Sequence, residues 1–180
     1  MTRLLPPATG PWGSAVLPLG AFFVYALAQR DAIGHLSFTQ SGHDRAKARL
    51  AAAGLPVLAA AGWPILADLH HQGQEYLAGR RQAFSLPVGG PFLAAGTPWQ
   101  QAVWAALRRI PYGATATYGQ IAVAIGRPTA ARAVGAACAA NPLGLFIPCH
   151  RVNAARGDGG FAGGLACKRF LLSLEAKTTP

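Results

Sequence analysis

The tripeptide Gly89-Gly90-Pro91 constrains this chain more than any other stretch. Two glycines leave the backbone free of side-chain anchorage, and a proline ends whatever element precedes it. The segment therefore reads as a break between two folding units, residues 1–90 and 91–180. The patterning differs on its two sides. Upstream, Phe22–Leu27 and Ile33–Phe38 gather aromatic and β-branched residues on either side of Arg30-Asp31, which predicts a β-hairpin. Asp44–Ala53, closed by Gly54 and Pro56, and Ile65–Ala78, closed by Gly79, predict two helices. Arg80–Val88 reads as extended, and the proline-rich residues 1–12 read as a loose start.

Downstream of the break the signals are helical. In Thr97-Pro98-Trp99-Gln100 a threonine can cap, a proline suits the first turn, and a glutamine completes a capping box. Trp99, Val103, Leu107 and Ile110 then follow at near-helical spacing, which turns them toward a core. Thr117-Tyr118-Gly119-Gln120 repeats the box and opens a short helix ending at Gly126. Thr129 is positioned to cap a third helix, Ala130–Ala140, stopped by Asn141-Pro142. Helix, tight glycine-containing turn, helix is the pattern of a helix-turn-helix, and equally of an ordinary helical hairpin. The third helix is almost all small residues, Ala131 and Gly135 among them, with Arg132 as its one long side chain. Small residues permit close approach to a partner surface or to another helix. The arginine must find a partner or reach solvent.

Chemistry concentrates in Pro148-Cys149-His150-Arg151-Val152. A thiol is a strong nucleophile only as thiolate, and an adjacent imidazole can take its proton. Taken alone, the pair is by default a buried, inert thiol, and the missing nucleophile elbow and the helix pair argue against a Cys–His hydrolase. Residues 157–164 contain five glycines, which let backbone approach a ligand closely. Leu165–Glu175 then predicts a helix with Phe170, Leu171 and Leu174 toward the core. Its Glu175 is either a solvated surface carboxylate or the group that orients His150. The net charge is +10, and residues 95–180 hold nine basic and two acidic groups, which suits a polyanionic partner, nucleic acid first, and equally a generally basic surface. Three cysteines without CxxC spacing argue against a disulfide framework and for a reducing compartment. The adjacent His70-His71 point apart on a helix, so no metal ion is expected. The longest apolar stretch, Ala15–Ala28, contains Pro18 and Gly20 and is too short to span a bilayer. With no signal-peptide pattern at the start, a soluble cytoplasmic protein is expected.

The second half resembles the O6-alkylguanine-DNA alkyltransferases, or methylated-DNA–protein-cysteine methyltransferases. The resemblance runs through Gly96-Thr97-Pro98-Trp99-Gln100, Ile110-Pro111-Tyr112-Gly113, Thr117-Tyr118-Gly119-Gln120-Ile121-Ala122 and Arg132-Ala133-Val134-Gly135. It continues through Asn141-Pro142, Ile147-Pro148-Cys149-His150-Arg151-Val152, Gly163-Gly164 and Leu171-Leu172 with Glu175. It covers about residues 85–176, whereas residues 1–84 are similar only loosely. The implied fold is α+β: a small N-terminal domain with an antiparallel sheet and helices, ribonuclease H-like, then a mainly helical C-terminal domain with a helix-turn-helix.

The implied activity is direct-reversal DNA repair. An O6-alkylguanine, or an O4-alkylthymine, is flipped out of double-stranded DNA and its alkyl group passes irreversibly to Cys149, once per molecule. The resemblance implies that His150 is the base, acting through water, Glu175 its orienter, and Asn141 the brace of the active-site turn. Arg132 would fill the gap left by the flipped base, and Tyr118 would assist rotation or bond the base. Ala131 and Gly135 would let the third helix approach the minor groove. The carbonyls of Cys149 and Val152 would read the guanine amine, in a pocket completed by Phe161, Ala162 and Gly163. The resemblance implies a monomer with no cofactor and no metal. The alternative within the same fold is a lesion-binding protein without transfer. Two residues depart from the pattern. Phe161 stands where a tyrosine is usual, which removes a hydroxyl from the pocket, and Trp99 replaces the usual phenylalanine. Residues 1–84 lack cysteine, so the zinc site of some relatives is not implied.

Overall fold

The computed structural model describes residues 4–5, 10–60 and 62–178. The chain is mixed α+β and divides into two compact units, Met1–Ala95 and Gly96–Pro180. The first unit is built on a six-stranded sheet ordered β1-β6-β4-β3-β2-β5. Its centre is antiparallel: β2 (Trp12–Leu19) pairs with β3 (Phe22–Ala28), and β3 with β4 (Ile33–Ser37). The outer pairings correct the expectation of an antiparallel sheet. β5 (Val57–Ala59) runs parallel to β2, and β6 (Val88–Gly89) runs parallel to both β4 and β1 (Leu4–Leu5). The hairpin around Arg30-Asp31 is present as β3–β4. A second hairpin precedes it. Leu19 pairs with Phe22, and Gly20 makes the turn at φ 61°. Pro18 is tolerated in β2 because β5 reaches only Trp12–Ser14, so the strand is an open edge at Pro18.

Helices α1 (Gln40–Ala52) and α2 (Pro64–Leu77) complete this unit. α1 begins four residues earlier than the sequence pattern suggests, because the Thr39 side chain caps Gly42 N. Trp12 is the centre of the core, fully buried with Leu27, Ala46, Leu50 and Phe92, and it meets Phe92 edge-on at 5.9 Å. This packing explains Gly90. A Cβ there would lie 2.8 Å from the Trp12 ring, and its φ is 101°. Gly34 is under the same constraint, with a Cβ 2.3 Å from that ring. Pro91 opens the short helix α3 (Pro91–Ala94), so the glycine pair packs inside the first unit and the division falls after Ala95. The segment 80–88 is irregular, with only Val88 in a strand. The expected loose start over 1–12 lies largely outside the described residues, although Trp12 is core.

The second unit is mainly helical. α4 (Pro98–Leu107) and α5 (Tyr118–Ala124) each begin with a complete capping box, Thr97 with Gln100 and Thr117 with Gln120. α6 (Ala131–Ala139) has no side-chain cap, so Thr129 does not serve it. α7 spans Gly164–Thr178. A two-residue parallel pair joins β7 (Ala116–Thr117) to β8 (Val152–Asn153). Trp104 is buried, but Trp99 is only half-buried, which corrects its expected core position. Both indoles donate to α6, Trp99 to the Ala133 carbonyl at 3.2 Å and Trp104 to the Ala137 carbonyl at 2.9 Å. Among the described residues, no helix is long and apolar enough to cross a membrane.

Candidate active site

Cys149 opens a single 3-10 turn, Cys149–Arg151, immediately before β8. Pro148 fixes the approach to the turn, and Leu145, at φ 68°, turns the chain into it. Asn141 braces the bend. Its Nδ2 donates to the Ile147 carbonyl at 2.8 Å and to Cys149 Sγ at 3.3 Å, while its Oδ1 accepts from Leu143 N at 3.0 Å. One asparagine thus holds the loop closed and points a donor at the thiol.

Burial raises the Cys149 pKa, and several effects oppose it. The Asn141 amide, backbone N–H groups and the positive charge of Lys168 all favour the thiolate. His150 is fully buried, with Nε2 2.8 Å from Glu175 Oε1. That carboxylate fixes the tautomer: Nε2 carries the proton and donates, leaving Nδ1 as a lone pair. Nδ1 is buried and has no hydrogen-bond partner among the described residues. Burial lowers the His150 pKa and Glu175 pulls it back up, with the balance below the ordinary value. The imidazole is therefore neutral and can accept a proton at neutral pH.

Glu175 is no surface residue. It is completely buried on α7 and also accepts from Arg151 Nε at 2.9 Å, Arg151 Nη2 at 2.9 Å and Gly113 N at 3.1 Å. Arg151, itself buried, donates Nη1 to the Ile110 carbonyl at 2.9 Å and lies over the Tyr112 ring. Two fixed charges thus neutralise each other beneath the imidazole.

A cavity of about 290 Å³ opens at Cys149, close to the lower size of small-molecule pockets. Tyr118 of α5, Gly135, Cys138 and Ala139 of α6, and Gly160, Phe161 and Ala162 of the glycine-rich loop complete its wall. Phe161 also meets the His150 ring edge-on at 6.5 Å. The Tyr118 hydroxyl donates to the Gly160 carbonyl over a long 3.4 Å, and burial raises its pKa. Gly135 leaves room for Tyr118: a Cβ there would sit 3.8 Å from the ring.

The other candidate residues lie off the cavity wall. Ala131 and the exposed Arg132 occupy the first turn of α6, Gly163 is half-buried just before α7, and Val152 is fully buried. The two carbonyls expected to read a base already have protein donors. Val152 N donates to the Cys149 carbonyl, and Lys168 Nζ donates to the Val152 carbonyl. A carbonyl has two lone pairs, so each can accept once more. Cys138, Arg151 and Lys168 went unassigned from sequence. For Lys168 a signal existed, since Leu171 and Glu175 follow it on the same helical face, three and seven residues on.

Comparison with known proteins gives a consistent picture. Residues 98–177 match the family profile described as "6-O-methylguanine DNA methyltransferase, DNA binding domain". The constitutive methylated-DNA–protein-cysteine methyltransferase of Bacillus subtilis is 50% identical over 114 residues, 61% of this chain and 66% of its own length. A Methanosarcina acetivorans relative of the same name is 48% identical over 109 residues, 60% of this chain and 67% of its own. These alignments span about two thirds of the relatives' lengths. The crystal structure of Mycobacterium tuberculosis O6-methylguanine methyltransferase superimposes with a TM-score of 0.74 at 32% identity, covering 94% of both chains. The same protein in complex with DNA gives 0.73 at 32% identity, with the same coverage.

Proposed function

This chain belongs to the methylated-DNA–protein-cysteine methyltransferase family, and we propose that it repairs O6-alkylguanine in double-stranded DNA by taking the alkyl group onto Cys149. The observation that carries this reading is a base-sized cavity with Cys149 in its wall and an imidazole held by a buried carboxylate beside it. The atom under attack lies inside a stacked duplex, so the base must be extruded into that cavity. Cys149 Sγ displaces the alkyl carbon from O6. The S–C bond forms, the C–O bond breaks, and its electron pair returns to the guanine. The thiol proton leaves toward His150 Nδ1 through water, and the base takes up one proton to become ordinary guanine. The Tyr118 hydroxyl exchanges its long bond to Gly160 for one to the base.

α5 and α6 act as a helix-turn-helix. The small residues Ala131 and Gly135 allow groove approach, and Arg132 occupies the space the base leaves. Val152, Phe161, Ala162 and Gly163 frame the base, and Asn141 keeps the turn in register. We also read the first unit as ribonuclease H-like: three antiparallel strands, then a helix and a strand parallel to the first. The protein acts as a monomer in the cytoplasm, where a reducing milieu keeps the thiol free.

Incubation with duplex oligonucleotide carrying O6-methylguanine should add a single methyl group per molecule, mapped by mass spectrometry to Cys149. Cys149→Ser should bind the same duplex and gain nothing. Tight lesion binding by the wild type without transfer would establish the lesion-binding alternative instead. A parallel arm with O4-methylthymine tests the second substrate.

A further inference from the structure

We propose that Cys138 is a resolving thiol for Cys149: a hydroperoxide drives the two to a disulfide across the cavity, which silences alkyl transfer until a thiol reductant reopens it. This rests on the proposed reaction and adds a control at the same site.

Cys138 is a nucleophile that the transfer does not use. It stands on the last turn of α6 and lines the same cavity as Cys149. Both thiols are half-buried, so a small oxidant entering the cavity meets them together. The chain between them doubles back on Asn141. The Asn141 N–H donates to the Cys138 carbonyl at 3.2 Å, and its side-chain Nδ2 donates to Cys149 Sγ at 3.3 Å. The backbone is pinned at both ends. The Ala137 carbonyl accepts from the Trp104 indole at 2.9 Å, and Cys149 N donates to the Ile147 carbonyl at 2.8 Å. Closing an S–S bond of about 2.0 Å is then left to side-chain rotation into the cavity, on a backbone already folded back on itself. The third cysteine, Cys167, is fully buried on α7 and does not line the cavity.

The two sulfurs have unequal parts. Asn141 aims a donor at Cys149, which favours its thiolate, whereas burial pushes the Cys138 thiol up to about 12. Cys149 is therefore the sulfur that attacks the oxidant. Its S–O bond forms, the peroxide O–O bond breaks, and the released hydroxide takes the thiol proton to become water. The Cys138 sulfur then attacks the Cys149 sulfur. The S–S bond forms, the S–O bond breaks, and the hydroxide leaves with the Cys138 proton as water. Two thiols are oxidised to a disulfide while one peroxide is reduced to two waters. Without a second thiol the sulfenic acid proceeds to sulfinic acid, which thiols do not reduce. A protein that accepts one alkyl group per molecule has one working sulfur, and the disulfide keeps it recoverable. In a reducing compartment such a bond is transient, as redox-sensing disulfides are.

The test treats the reduced full-length protein with hydrogen peroxide, digests it with trypsin without reduction, and maps the peptides by mass spectrometry. Trypsin cuts after Arg132 and Arg151 and leaves both cysteines in one peptide, residues 133–151. In the wild type that peptide should become lighter by two hydrogens and resist iodoacetamide. Methyl transfer from O6-methylguanine duplex should be lost in step with it and return in full with dithiothreitol. In Cys138→Ser, peroxide should instead carry Cys149 to sulfinic acid, and dithiothreitol should restore none of the lost transfer. Recovery is scored against each protein's own untreated transfer, so any effect of the serine on the cavity cancels. Cys167→Ser should behave as the wild type does. A treated wild type without the internal disulfide overturns the proposal, as does a Cys138→Ser protein that recovers as fully as the wild type. If Cys138→Ser does not fold, the wild-type peptide map decides. A reduced wild type that accepts no methyl group from DNA defeats the proposed reaction, while the peptide map still judges Cys138.

Discussion

Glu175 is shared by His150, Arg151 and the Gly113 amide. Removing its charge would strand a buried guanidinium, a class of change that costs about 3–5 kcal/mol. Glu175→Gln should therefore lower the urea midpoint of unfolding as well as the transfer rate. His150→Gln keeps an uncharged polar group but loses the proton acceptor, and should slow transfer by about a hundredfold or more in a single-turnover assay. At this scale the sequence is informative where residue type and spacing are rare together. Cys149, His150, Asn141 and Glu175 stand out through the string of family motifs that holds them, since the Cys-His pair alone suits an inert thiol equally; the structure brings all four together around one turn. Arg151 and Lys168 were not assigned, because an isolated cation is ordinarily solvated. For Arg151 only the three-dimensional fold reveals the enclosure, whereas Lys168 shares a helical face with the core residue Leu171.

Elements carry a different kind of prediction. Between the sheet and α1 lie two histidines kept neutral by burial. His35, on β4, is lowered to about 4, and His43, on α1, is lowered as well. Neither ring nitrogen of His35 has a hydrogen-bond partner among the described residues, while His43 Nε2 lies 2.9 Å from Ser14 Oγ. Arg45, Arg49 and Lys47 add repulsion and Asp44 offsets a part. A lowered folded-state pKa means that the unfolded chain binds the proton first as pH drops. Stability from His35 is thus complete above about 6.5 and lost as pH falls to about 4, a change on the order of 3 kcal/mol. Urea midpoints measured from pH 4 to 7 should trace this loss, and His35→Gln should flatten it. At the other end of the chain, Thr117→Ala should cost about 1 kcal/mol by uncapping α5. Both capping boxes were legible because a cap is a local device, written in four consecutive residues. β2 was obscured by Pro18 and Gly20, residues tolerated only because one is on an open edge and the other makes a turn. The parallel pairings of β5, β6 and β1 join distant segments, and no local pattern announces them. Gly90 reads from sequence as part of a linker between units, whereas in the structure an indole packs against it.

At the scale of the molecule the governing quantity is charge. A net +10, concentrated after residue 95, implies DNA affinity that falls steeply with salt. The slope of log affinity against log salt concentration should drop by about one for each phosphate-contacting cation removed. Arg127→Ala provides that comparison in a titration series. Arg132→Ala should instead weaken binding to lesion duplex and slow transfer, since its proposed place is within the base stack. The two-residue ladder between β7 and β8 bears on how such a molecule fails. Thr117 both pairs in that ladder and caps α5, while its partner strand β8 follows directly on the reactive turn. A fluctuation that frees one strand frees the other. Backbone amides at the two sites should therefore exchange with solvent deuterium at matching rates, and warming should erode lesion search and thiol chemistry at a single temperature.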